Sequence, residues 1–335
     1  MPCVYVLGAG ASRFAGYPLG LDLWPFVRDT SYREAFATKR ATFVTTAMEQ
    51  ILLVMPPDEY DRPNLEELFT FLDLAARGAG PIELHRVDWP DVRVKLMGMI
   101  AAAFLWHEYQ LQRELSSPGD PRNRILDAWA RRVQPGDTIV TFNWDILHEA
   151  ALWRRNKWHY GNGYGFACAD APPASLSPVR VLKLHGSVNW GQQDAQDCTP
   201  AIEHKADFFH GGTDAHETYL RAAGTWNEGR HLIIPTYLKD LSTNRLLVHL
   251  WNQASDALTT ATSIVIIGFQ LNPADALARY LLATTLLRNY LHPMITVVAP
   301  DADIDHWPKF FDDIGTHFRR DRRRFEDWVF QAAHP

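Results

Sequence analysis

Five short segments of this chain combine glycine or polar residues with positions where chemistry could occur. They are Gly8–Ser12, Asn143–Asp145, His185–Ser187, Gly268–Gln270 and Ala299–Asp301. Together they supply glycine amides that could hold a phosphate, a side-chain amide, a carboxylate and an imidazole. Each follows a short apolar run that is typical of a buried strand. Because ligands of parallel sheets bind beyond the carboxyl ends of the strands, these segments predict one site at that edge.

The first segment, GAGAS, lies between the apolar run at 4–7 and an apolar stretch from Leu21 that can start a helix. A glycine-rich turn between a strand and a helix presents backbone N–H groups to a phosphate, and Ser12 could add its hydroxyl. The dinucleotide fingerprint has a third glycine or alanine where this chain has Arg13. The turn therefore predicts either a pyrophosphate site or a structural turn that needs glycine for its backbone geometry.

The polar residues after the later strands also have two interpretations. Asn143 and Asp145 could cap a helix, since N-caps favour these residue types. His185 could be an ordinary packed or surface histidine. Their coincidence at one predicted sheet edge favours a functional site, in which a histidine that titrates near neutrality could act as a base.

Strands that alternate with helices position these segments. Predicted strands cover 4–7, 138–142, 179–184, 232–235, 263–269 and 295–299, and predicted helices cover 42–55, 64–77, 90–115, 121–133, 146–155, 245–260 and 273–288. We therefore expect an α/β fold in a single domain over 1–335, a doubly wound Rossmann-like parallel sheet. Residues 21–133 would form a helical insertion or cap on the sheet, and residues 191–230 a long loop excursion.

Composition and charge restrict the class of protein. The formal net charge of −6 and 47% hydrophobic residues are typical of a globular protein without broad nucleic-acid affinity. The C-terminal arginines Arg319, Arg320 and Arg322–Arg324 are expected on a solvated helix face. Three cysteines without CxxC spacing suit a reducing cytoplasm. No signal peptide or membrane span is expected, because the most apolar long stretch, Leu96–Trp106, is too short.

As a set, the motifs GAGAS, GYP, TFNWDILHE, KLHGS and IIGFQL resemble the sirtuin-like family of NAD-consuming proteins. TFNWDILHE is similar to the Asn-x-Asp motif of sirtuins, and KLHGS is similar to the segment that carries their histidine. The combination is closer to the bacterial branch that is often found in antiphage defence, whose members are NAD hydrolases. The resemblance implies an NAD glycohydrolase that needs no metal, with NAD as its substrate and control by homo-oligomerisation or a partner protein.

The resemblance also implies roles for individual residues. Asn143 would contact the ribose, Asp145 would hold the carboxamide, and His185 would act on the ribose hydroxyls or the attacking water. The pyrophosphate would lie on the turn formed by Gly8, Ala9, Gly10, Ala11 and Ser12. The further cofactor-binding residues would be Pro18, Phe269 and, near the adenosine half, Gly268 and Asp301.

Two departures from the family count against protein deacylation. The chain cannot build the four-cysteine zinc ribbon that deacylating sirtuins usually carry. It also has Leu19-Gly20-Leu21 after the GYP motif, where they have Asp-Phe-Arg. The alternatives to the NAD glycohydrolase are a sensor that binds NAD or ADP-ribose without turnover, and a deacylase or ADP-ribosyltransferase.

Overall fold

A parallel sheet flanked by helices organises the chain. The computed structural model describes residues 2–38, 41–53, 65–79, 86–167, 177–191, 201–202, 245–271, 275–300 and 306–331. The strands within these residues are β1 Cys3–Leu7, β2 Thr138–Thr141, β3 Arg180–Lys183, β4 Trp190–Gly191, β5 Ala201–Ile202, β6 Ser263–Ile267, β7 Met294–Val298 and β8 Arg319–Asp321. The α-helices there are α1 Leu23–Thr38, α2 Ala41–Leu52, α3 Leu65–Ala76, α4 Trp89–Leu115, α5 Pro121–Arg132, α6 Leu147–Trp153, α7 Arg245–Thr260, α8 Ala276–Arg288, α9 His306–Asp313 and α10 Phe325–Trp328.

The strand order places the carboxyl ends of β1 and β6 side by side. The six-stranded sheet runs β3-β2-β1-β6-β7-β8, and every pairing in it is parallel. The chain adds β2 and β3 on one side of β1, then crosses to β6 on the other side and continues outward. Rossmann-like folds have this order and bind ligands where it reverses. The predicted α/β class and parallel Rossmann-like sheet are confirmed, and the reversal lies between β1 and β6.

Most predicted elements are found with their ends shifted by a few residues. The helix predicted at 90–115 is α4, whose first turn is capped by Asp88, with Oδ1 accepting from the Asp91 amide (3.2 Å). Between β1 and β2 the described residues form helices α1 to α5 joined by turns, so the region is helical. The insertion or cap expected for 21–133 stays a prediction. The strand predicted at 232–235 and most of the excursion at 191–230 lie outside the described residues.

The sheet and the helices share one continuous apolar core. Residues 4–7 of β1 are all buried, as expected for a central strand of a parallel sheet. Helix α4 packs against α1, α2 and α3, and its run 99–105 is buried. None of the helices in the described ranges combines the length and apolar character that a bilayer crossing requires.

Two local predictions differ from the structure. Arg319 and Arg320 are exposed, but they lie in the edge strand β8 and pair with β7 instead of forming a helix face, and Arg322–Arg324 follow that strand. The short charged strand β8 has no alternation of apolar residues from which a strand could be predicted. Its conformation is decided by its pairing with β7. The helix predicted to start at Leu21 begins two residues later, because short 3₁₀ segments at 9–11, 13–15 and 20–22 precede α1.

Candidate functional site

A cavity of about 210 Å³ opens at the carboxyl ends of β1, β2, β3 and β6, where the strand order reverses. The sequence-predicted residues that line it are Gly8, Ala9, Gly10, Ser12, Pro18, Asn143, Asp145, His185, Gly268 and Phe269. The rest of its described lining is Tyr17, Leu19, Gly20, Leu23, Phe104, Phe142, Trp144, Gln270 and Asp275. Ala11 is fully buried outside this lining, and Asp301 lies outside the described residues.

The glycines of the site are required by the close packing of two turns. The Gly8 amide donates to the Ile267 carbonyl oxygen (3.0 Å), and the Gly10 amide donates to the Gly268 carbonyl oxygen (2.9 Å). Gly268 has a φ of +59°, and a Cβ there would lie 2.3 Å from the Ala11 nitrogen. A Cβ on Gly10 would lie 2.8 Å from the Gly268 Cα. The backbone interpretation of the turn is therefore correct for these glycines, independently of any phosphate.

Two further amides of the glycine turn also make hydrogen bonds within the protein. The Ala11 amide donates to the Gly8 carbonyl oxygen (2.9 Å), and the Ser12 amide donates to the Ala9 carbonyl oxygen (3.1 Å). A phosphate at this turn would therefore meet fewer open N–H groups than the sequence pattern predicts. The pyrophosphate contact stays a prediction.

Replacement of Gly268 by alanine is expected to lower the free energy of unfolding by about 3 kcal/mol or more, since the left-handed backbone and the overlap with Ala11 both cost energy. Gly119→Ala is the matched control, because a Cβ there meets nothing within 4 Å. Denaturant unfolding of both variants measures the difference. Equal stabilities would contradict the close packing of the two turns. The same packing predicts that Gly10→Val disturbs folding, and not NAD affinity alone.

Asn143 joins the turns that follow β1 and β2. Its Nδ2 donates to the Gly8 carbonyl oxygen (3.0 Å) and to Ser12 Oγ (3.2 Å). The hydrogen bond to a helix start is made instead by Asp145, whose Oδ1 accepts from the Leu147 amide (3.1 Å). The buried side chain of Asn143 thus connects two loops of the cavity wall through hydrogen bonds.

Asp145 is buried beside a buried ammonium group. Desolvation raises the pKa of its carboxyl above the ordinary value, opposed by the charge of Lys183 and a hydrogen bond from Ser12. Lys183 has no exposed surface, and its Nζ donates to Glu149 Oε1 (2.7 Å) and to the Asp145 carbonyl oxygen. Lys183 is not among the predicted site residues, although a lysine inside the apolar strand pattern VRVLKL is a usable signal.

His185 lies just after β3 and faces the carboxylate of Asp275. Asp275 follows β6, on the other side of the point where the strand order reverses. The His185 ring packs edge-on against Phe142, with ring centroids 5.2 Å apart, and Trp144 Nε1 donates to the carbonyl oxygen of His185 (3.1 Å). Its Nε2 lies 3.5 Å from Asp275 Oδ2, and the two side chains are 9% and 8% exposed. Asp275 is not among the predicted site residues, although an aspartate that precedes a helix after a buried strand belongs to the same sheet edge.

His148, in the same motif as Asn143, has a different environment. Its Nε2 lies 3.4 Å from Ser12 Oγ, and its ring packs against Trp129. Burial lowers the pKa of His148 to about 4, so its imidazole is neutral at neutral pH. His148 does not line the cavity, which leaves His185 as the histidine of the described lining.

Helix α4 anchors the wall of the cavity that contains Pro18. His107 Nε2 lies 2.9 Å from the Ala15 carbonyl oxygen. The Tyr17 hydroxyl donates to the Glu108 carboxylate, whose other oxygen accepts from Gln112 Nε2 (2.6 Å). Burial raises the pKa of Glu108 to about 7. The helical region between β1 and β2 therefore supports the site.

No model of a known protein family matches this chain, and no curated protein matches it. Within the described ranges, no group of three His, Cys, Asp or Glu side chains could hold a metal ion. The cavity combines an imidazole–carboxylate pair, a second buried carboxylate and aromatic rings. Such a site can bind a flat polar group and move a proton beside it.

Proposed function

We propose that this protein is an NAD glycohydrolase, which cleaves the bond between nicotinamide and ribose and releases nicotinamide and ADP-ribose. The observation that supports this most is the convergence of Asn143, Asp145 and His185 on one cavity at the reversal of strand order. These residues belong to TFNWDILHE and KLHGS, two of the motifs in the set that resembles the sirtuin-like NAD hydrolases.

The charges of the cavity suit the nicotinamide end of NAD. Among its described lining residues, Asp145 and Asp275 carry carboxylates and none is lysine or arginine. The Asp275 carboxylate lies 3.5 Å from His185 Nε2. The nicotinamide ring of NAD carries a positive charge, which the carboxylates favour. The rings of Phe142 and Phe269 stack with centroids 4.7 Å apart and offer an aromatic surface to a flat cation.

The reaction needs positioned dipoles and one base. As the glycosidic bond breaks, its electron pair passes to the nicotinamide nitrogen and positive charge develops at the anomeric carbon. Water forms the new bond to that carbon and gives its proton to His185. Asp145 accepts a hydrogen bond from the carboxamide N–H group, and Asn143 keeps ribose and water in line.

A second candidate is a sensor that binds NAD or ADP-ribose without turnover. Asn143 donates to Gly8 and Ser12, so it supports the cavity wall even without a part in catalysis. A sensor predicts saturable NAD binding and no release of nicotinamide.

Purified protein incubated with NAD is expected to release nicotinamide and ADP-ribose in equal amounts, which chromatography measures. A free NAD hydrolase would deplete its own cell, so we also propose control by oligomerisation or by a partner protein, as in an antiphage-defence effector. The assay is therefore run with the protein by itself and with the products of neighbouring genes. NAD binding without nicotinamide release in every condition would support the sensor instead.

Treatment with a chelator is expected to leave the rate of NAD hydrolysis unchanged, because nicotinamide leaves as a neutral group and the proposed steps use only side chains. Nicotinamide release is compared before chelation, after chelation and after zinc is added back. A rate that falls on chelation and recovers with zinc would contradict the assignment of the chemistry to Asn143 and His185.

A further inference from the structure

We propose that Asp275 is a positioning residue for His185, which holds the imidazole in one orientation and stabilises the charged ring that forms when His185 takes up a proton. This inference rests on the proposed role of His185 in NAD hydrolysis. It assigns a function to a carboxylate that no sequence motif indicated, 90 residues further along the chain.

The Asp275 carboxylate is itself held by the start of α8. Its Oδ1 lies 3.5 Å from the Ala278 amide, in the N-cap position of the helix. Its Oδ2 lies 3.5 Å from His185 Nε2. One oxygen therefore faces the helix and the other faces the imidazole. The positive end of the helix dipole favours the ionised form of this carboxylate.

The imidazole and backbone of His185 are also held in place by their neighbours. Its ring packs against Phe142, which stacks on Phe269 of the neighbouring β6 turn. Trp144 holds the His185 backbone through its carbonyl oxygen. Because both side chains of the His185–Asp275 pair are more than nine-tenths buried, water screens their interaction less than at the surface.

The chemistry of the pair follows from which nitrogen faces the carboxylate. The 3.5 Å contact between Nε2 and Asp275 is an ion-pair distance and not a hydrogen bond, so the carboxylate acts through its charge. A negative charge beside Nε2 favours the tautomer that has its hydrogen there and its lone pair on Nδ1. When Nδ1 takes the proton of the attacking water, the ring becomes positively charged 3.5 Å from a carboxylate. Asp275 stabilises that charge without taking the proton itself.

The simplest other role for Asp275 is that of a helix cap, and two substitutions separate the roles. Asp275→Asn keeps a good N-cap residue and removes the charge, whereas Asp275→Ala removes both. We expect the asparagine variant to lose about tenfold or more in kcat, with a melting temperature close to that of the parent. Asp88→Asn, the same substitution at the cap of α4 outside the cavity lining, is the control. A parental kcat in Asp275→Asn would overturn the proposal.

A double variant tests whether Asp275 acts through His185. If it does, His185→Ala/Asp275→Asn hydrolyses NAD no more slowly than His185→Ala, because the imidazole through which the carboxylate acts is already gone. Additive losses in the double variant would overturn the proposal.

Histidine titration by NMR gives a readout that does not need NAD hydrolysis. The His185 signal is assigned as the one that disappears in His185→Ala. In Asp275→Asn its titration midpoint is expected to fall by about one pH unit or more, because an opposite charge at this distance favours the protonated ring. An unchanged midpoint would overturn the proposal. A shifted midpoint in a protein that never hydrolyses NAD would overturn the proposed function and leave the pairing of Asp275 with His185 standing.

Discussion

Replacement of His185 by alanine is expected to lower the rate of NAD hydrolysis by about 10²–10⁴-fold, the usual cost of losing a positioned general base. NAD affinity is expected to change little, because His185 is one of many residues that line the cavity. Nicotinamide release measures the rate and calorimetry measures the affinity, both in the activated state of the protein.

His317→Ala is the matched control for this experiment, because His317 is exposed and does not line the cavity. It should hydrolyse NAD at the parental rate. A His185→Ala protein that also kept the parental rate would contradict the catalytic assignment. A parent that binds NAD but releases no nicotinamide under any activating condition would support the sensor.

Replacement of Lys183 by methionine is expected to lower the free energy of unfolding by about 3–5 kcal/mol, because it leaves the Glu149 carboxylate buried without its partner. Both side chains of this pair are almost completely buried, at 0% and 2% exposure. The substitution also removes the donor to the Asp145 carbonyl oxygen. Denaturant unfolding followed by circular dichroism measures the change.

The double variant Lys183→Met/Glu149→Gln separates charge from packing. Because it removes both charges, it should recover most of the lost stability. Lys95→Met is the matched control, since it breaks the more exposed pair with Asp91 and should cost less than about 1 kcal/mol. A Lys183→Met protein as stable as the parent would contradict the structural role of the buried pair.

The sequence by itself determined the classes of the elements and the edge at which the site lies. Apolar runs such as 4–7 and helical periodicity such as that of 90–115 depend on neighbours close in the chain, so they can be interpreted without a structure. The meeting of Asn143, Asp145 and His185 could also be predicted, because parallel strands bring their carboxyl ends to one edge. No local pattern revealed the strand at Arg319, because its pairing with β7 decides its conformation.

Only the tertiary structure decided which groups surround those residues and what the glycines do. Lys183 meets Glu149 across 34 positions of the chain, and His185 meets Asp275 across 90. Position 268 must lack a Cβ, because a turn that is distant in the chain packs directly onto Gly268. These contacts depend on how the strands are ordered in space, and neither residue spacing nor local propensity contains that order. The proposed pairing of Asp275 with His185 could therefore be found only from the folded structure.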